Sequence, residues 1–116
     1  SPTGPLSHDH PHPRAYGTFG RLLRAALDGK TVSVGEAVRK MTSLPAEHFR
    51  LKDRGVLRAG AFADVVALDP KTFRDLATYE KPHQFCEGIS AVWVNGTATL
   101  RDGKETGARG GRYLTA

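Results

Sequence analysis

Ile89-Ser90-Ala91-Val92-Trp93-Val94-Asn95-Gly96-Thr97-Ala98-Thr99-Leu100 is the stretch that decides the fold class. Ile89, Ala91 and Trp93 alternate with Ser90, Val92 and Val94, the period of a strand. Asn-Gly then demands positive φ at two successive positions, the signature of a type I′ hairpin turn. Thr97 to Leu100 returns as the partner strand. Asp102-Gly103 sets a second turn beyond it, and Gly107 to Gly111 is too rich in glycine for regular structure. Toward the N-terminus, Ala63-Asp64-Val65-Val66-Ala67-Leu68 is another strand-like run, stopped by Asp69-Pro70. Thr72 to Glu80 reads as a loop or a weak helix.

Before residue 50 the period changes from 2 to 3.6. Phe19, Leu22, Leu23, Ala26 and Leu27 form one apolar stripe, predicting a helix from Thr18, its cap, to Leu27, closed by Gly29. Ser33 with Glu36 three residues on is a capping box for a second helix that buries Ala37, Val38 and Met41. Pro45 opens a short helical turn, Ala46 to Phe49. Pro2, Pro5, Pro11 and Pro13 break the first fourteen residues into a loop. The order of loop, helices and antiparallel strands predicts an α+β chain.

At 116 residues, 39% hydrophobic and 25% charged, the chain has the size and composition of one domain with a small core. Its net charge is +5, but the 17 Lys and Arg are scattered among acidic residues, which argues for a solvated basic surface and against nucleic acid. No run approaches the roughly 20 apolar residues of a membrane span. Cys86 is the single cysteine, so a disulfide framework is excluded, and a reducing, cytoplasmic setting is the expectation.

Few residues carry chemistry. In His8-Asp9-His10-Pro11-His12 an extended chain can aim alternate imidazoles the same way, and neutral imidazole suits zinc. Pro11 and Pro13 deny that segment a supporting ladder, so it reads as a loop near a site and not as a ligand set. Arg14, on the same loop, is suited to fork a carboxylate, though an exposed loop arginine is the plainer reading. Gly29-Lys30-Thr31 is no phosphate loop, since Arg24 stands where its first glycine belongs. Asn95-Gly96-Thr97 matches a glycosylation sequon, but the hairpin accounts for it. Gly107-Ala108-Arg109-Gly110-Gly111-Arg112 is a single RGG-like copy, and Cys86 reads as an inert, partly buried thiol. On chemistry alone the sequence offers no nucleophile, no carboxylate pair and no complete metal set.

Several segments, in order, resemble the C-terminal region of N-acyl-D-amino-acid deacylases, the D-aminoacylase group of the amidohydrolase superfamily. His12-Pro13-Arg14-Ala15-Tyr16-Gly17-Thr18-Phe19 is similar to the HPRxYGTF stretch of that family. Glu36 to Ala46 is similar to its EAVRKMTSLPA helix. Asp53 to Pro70 resembles the wider amidohydrolase ending, in which ADxVxxDP is widespread. Tyr79-Glu80-Lys81-Pro82-His83-Gln84 resembles the much narrower YExPHQ element. The likeness runs from about residue 8 to 114.

The resemblance implies that residues 1–50 are the last loop and helices of a (β/α)8 metal-hydrolase barrel. Residues 51–116 would then be the C-terminal part of a small β-sandwich. It implies zinc as cofactor, an N-acyl-D-amino acid as substrate, and the N-terminal part of the same enzyme as partner. Arg14 matches the family arginine that grips the substrate α-carboxylate. No zinc ligand is implied here, and the Ser-Asp-Gly that carries the catalytic aspartate is not in this sequence, so Asp9 takes no such role. The chain alone is expected to be inactive. Strands 63–68 and 92–94 would be unpaired edges, leaving it poorly folded or driving a homo-oligomer. The alternatives are a dihydropyrimidinase-like cyclic amidase on the same scaffold, or a non-enzymatic binding or assembly module.

Overall fold

A computed structural model describes residue 5 and residues 8–114. Three helices, α1 (Arg14–Leu27), α2 (Val34–Met41) and α3 (Ser43–His48), precede four strands. These are β1 (Val65–Leu68), β2 (Ile89–Val94), β3 (Thr97–Arg101) and β4 (Lys104–Glu105). The strands form one antiparallel sheet in the order β1-β2-β3-β4. The α+β class expected from the sequence is the class observed.

The hairpin forms as its turn residues require. Asn95 and Gly96 take φ of 50° and 79°, and Asp102 and Gly103 repeat the device at 51° and 71° between β3 and β4. The pairing of β2 with β3 shifts register between Val92 and Trp93, a bulge that breaks the strict alternation of the sequence. Strand β1 is shorter than its apolar run. It begins at Val65 because the Asp64 carboxylate accepts the backbone N–H of Asn95 at 2.8 Å and pairs with Arg54.

Segment 92–94 is not an edge. Strand β2 lies in the middle of the sheet, paired on both sides by β1 and β3 of this same chain, and the edges are β1 and β4. The partners were local in sequence and needed no second chain.

Helix α2 begins as its capping box predicts, with Ser33 Oγ accepting the N–H of Glu36 at 3.2 Å. Glu36 does not reach back to complete the box; its carboxylate pairs with Arg39 at 2.7 Å. Helix α3 starts at Ser43, earlier than the turn read from Pro45, which sits in its first turn where no N–H is needed. Helix α1 also starts early, at Arg14, not Thr18. The Thr18 hydroxyl donates to the Arg14 carbonyl at 2.8 Å from inside the helix and caps nothing.

The inward side of α1 is not the full stripe. Phe19 is 67% exposed, while Gly17, Gly20 and Ala26 are buried. The helix packs by its smallest residues, so another backbone comes close. That backbone is the irregular segment 69–88, which is neither helix nor strand apart from a bridge between Arg74 and Glu87. Phe73 and Ala77 of this segment are buried with Ala26, Ala37 and Ala46. Among the described residues, no strand residue is fully buried, and the helices touch one another but no strand. Segment 69–88 is thus the connector that carries α1. Among the described residues no helix is long and apolar enough to cross a membrane.

Candidate functional site

The site gathers at the start of α1. Pro13 occupies the N-cap with φ of −50°, preset for a helical turn, and it brings no capping side chain. The first N–H groups of a helix have no partner within it. His12 fills the need: its Nδ1 accepts the backbone N–H of Arg14 at 3.1 Å. That bond settles the neutral tautomer, because an accepting Nδ1 leaves the proton on Nε2. Nε2–H then donates to the Tyr79 hydroxyl at 3.0 Å, with the two rings edge to face at 5.0 Å.

Two more histidines bind the same two loops together. His10 Nε2–H donates to the Tyr79 carbonyl at 2.6 Å. His83 Nε2–H donates to the Asp9 carbonyl at 2.7 Å, and its Nδ1 accepts the Tyr16 hydroxyl at 3.0 Å. Tyr16 also meets Phe85 edge to face at 5.6 Å. Residues 9–12 and 79–85 are therefore laced by side chains from both sides, with the first turn of α1 between them.

One turn further on, Asp75 anchors the helix. Its carboxylate is 5% exposed, pairs with Arg21 at 2.8 Å and accepts the N–H of Ala77 at 2.9 Å. Gly17 lies directly against that carboxylate, and any Cβ there would overlap it. Arg24 continues the clamp by donating to the carbonyls of Pro70 and Phe73 at 2.6 and 3.1 Å.

Arg14 departs from expectation in its placement. It is the first helical residue, not a loop residue, so its backbone is held in a hydrogen-bonded turn. Its side chain is exposed, and among the described residues its guanidinium makes no hydrogen bond or ion pair, unlike Arg21, Arg24, Arg39, Arg54, Arg58 and Arg74. A fixed backbone with an uncommitted planar fork is suited to bind a carboxylate from outside the chain.

Among the described residues no group of three or more His, Cys, Asp or Glu is placed to hold a metal ion. Both ring nitrogens of His12 and of His83 are spent on protein partners. Cys86 is half-buried against Gly20; burial first, and then the Asp75 charge, push its thiol above the ordinary range. Lys30 of the dismissed phosphate-loop triplet pairs with Asp28 at 3.2 Å. In the RGG-like tail, Gly110 packs on the Val94 carbonyl and Arg112 stacks over Phe62. An open cavity of about 480 Å³ with Arg50, Lys52 and Arg112 on its walls includes none of the residues around Arg14.

The places of Tyr16, Asp75, Tyr79 and His83 around the start of α1 were not legible in the sequence. Tyr79 and His83 stand in the YExPHQ element, but the contacts that give them meaning span 67 to 74 positions.

Comparison with known proteins shows the family. The model of the Amidohydrolase family matches residues 5–99. An N-acyl-D-aspartate deacylase of Alcaligenes xylosoxydans xylosoxydans is 46% identical over 107 residues, 90% of this chain and 21% of that protein. A D-aminoacylase solved with copper chloride superposes with a TM-score of 0.88 at 42% identity, covering 93% of this chain and 23% of that one. An N-acyl-D-glutamate deacylase from Bordetella bronchiseptica, complexed with zinc and a phosphonate mimic of the tetrahedral intermediate, gives a TM-score of 0.74 at 44% identity. It covers 78% of this chain and 19% of that one. The chain spans about a fifth of the length of the proteins it matches.

Proposed function

The chain belongs to the amidohydrolase family, and on that footing we propose that it is the C-terminal part of an N-acyl-D-amino-acid deacylase. The intact enzyme hydrolyses the amide to a carboxylate and a D-amino acid. The observation that carries this reading is the guanidinium of Arg14, without a hydrogen bond or ion pair among the described residues, on a hydrogen-bonded first turn within a segment so close to three such deacylases. Arg14 holds the substrate α-carboxylate through two parallel hydrogen bonds and so orients the scissile amide.

Residues 1–50 are the end of the barrel and 51–116 belong to the sandwich in this reading. It is supported by the split between helices and sheet, and by a sheet whose apolar side chains stay half-exposed and so call for a covering layer. Zinc is the cofactor of the intact enzyme in this reading, and the solved N-acyl-D-glutamate deacylase is complexed with zinc. Among the described residues no three ligand-type side chains are placed together to hold it, and both ring nitrogens of His12 and His83 are committed to Arg14, Tyr79, Tyr16 and Asp9. The metal ligands and the catalytic aspartate come from the rest of the polypeptide, so this chain alone hydrolyses nothing. A cytoplasmic setting goes with this reading.

The test is Arg14→Ala in the intact enzyme, assayed on N-acetyl-D-aspartate, N-acetyl-D-glutamate and N-acetyl-D-leucine. Loss of a charge-assisted contact worth about 1.5–3 kcal/mol should lower kcat/KM by about 10- to 150-fold on whichever is turned over. Unchanged kinetics would remove Arg14 from the site.

A further inference from the structure

We propose that His12 and Tyr79 are positioning residues that aim Arg14 at the substrate carboxylate, an inference that rests on the role assigned to Arg14 above. The Arg14 guanidinium makes no hydrogen bond or ion pair among the described residues, so no polar partner fixes it and its placement depends on the backbone that carries it. That backbone sits at the first position of α1, where helices fray because their leading N–H groups lack acceptors. Here the leading N–H is taken by His12 Nδ1, and the same ring is pinned from its other nitrogen by the Tyr79 hydroxyl. Tyr79 is in turn fixed through its own carbonyl by His10. The result is an unbroken chain from segment 79–83 through an imidazole to the peptide nitrogen of Arg14.

The choice of an imidazole is informative. Serine, threonine and aspartate are the usual caps, and their short side chains bond only to the helix they cap. An imidazole has a second nitrogen on its far side, so it caps the helix and ties it to another segment at once. Neutral His12 spends its one proton on Tyr79, which therefore acts as acceptor. Tyr79 is 66% exposed, so burial of its ring does not by itself account for its place. What its hydroxyl does is hold His12 in the tautomer that accepts from Arg14.

Three variants of the intact enzyme test this, assayed on the N-acetyl-D-amino acid it turns over and on the matching α-carboxamide, which lacks the anionic group. His12→Ala removes the acceptor, Tyr79→Phe removes only the hydroxyl and keeps the ring contact, and His12→Asn restores an acceptor for the Arg14 N–H. The first two should raise KM for the acid by about 2- to 12-fold, the factor a lost neutral hydrogen bond gives, with kcat kept within about two-fold. Their KM for the carboxamide should not move, and His12→Asn should recover most of the loss seen in His12→Ala. Equal losses on acid and carboxamide would mean a merely structural role and overturn the proposal. So would wild-type KM in both variants while Arg14→Ala raises it, an outcome that leaves the Arg14 assignment standing. Wild-type KM in Arg14→Ala itself would overturn both.

Discussion

Replacing Gly20 by alanine sets two effects of known size against each other. Gly20 lies in the interior of α1, where alanine is the better helix former by about 0.8–1 kcal/mol. On an exposed face that gain would stand alone. Here the added Cβ would overlap Cys86 Sγ, and a short cysteine side chain on a packed segment has little room to yield. Overpacking of this kind costs about 1–3 kcal/mol. The net expectation is a loss of about 0–2 kcal/mol. Removing the sulfur should reverse the sign: in a Cys86→Ala background the next neighbour, Asp75 Cβ, lies at 3.4 Å, an ordinary contact. Gly20→Ala should then stabilise by about 1 kcal/mol. Urea denaturation of the wild type, both single variants and the double variant yields the coupling, expected at about 1–3 kcal/mol. If Gly20→Ala stabilised both backgrounds equally, the close seam between α1 and segment 69–88 would be wrong, and with it the account of how Arg14 is carried.

Two other outcomes follow from the same structure. Asn95→Ala should cost about 2–5 kcal/mol: about 1–2 for a Cβ residue at φ of 50°, and about 0.5–1.5 for each of two side-chain bonds, from Arg54 and to the Gly110 carbonyl. Asn95→Gly spares the backbone part, so its unfolding midpoint should lie between the other two; a midpoint equal to that of the alanine variant contradicts the turn assignment. Cys86 should react slowly with iodoacetamide, because burial and the nearby Asp75 charge hold the thiol protonated at neutral pH. The rate should rise with pH through a midpoint above the ordinary thiol value of about 8.5, and a midpoint below it would contradict the packing against Gly20.

The sequence by itself determined the local elements, because their causes are local. Asn95-Gly96 needs no distant partner to make a type I′ turn, Ser33 caps a helix three residues away, and a period of 3.6 or 2 is set within a dozen residues. It also carried the family likeness and pointed to Arg14. Boundaries slipped where a neighbour far along the chain intervened: α1 begins at Arg14 because His12 caps it, and β1 is trimmed because Asp64 serves Asn95. Only the tertiary structure decided that β2 is central, that Gly17 and Gly20 lie against Asp75 and Cys86, and that His12 meets Tyr79 while Tyr16 meets His83. Those contacts join residues close to 70 positions apart, and no periodicity or spacing encodes such a meeting. It exists only because segment 69–88 folds back along α1, where two glycines leave the space for it.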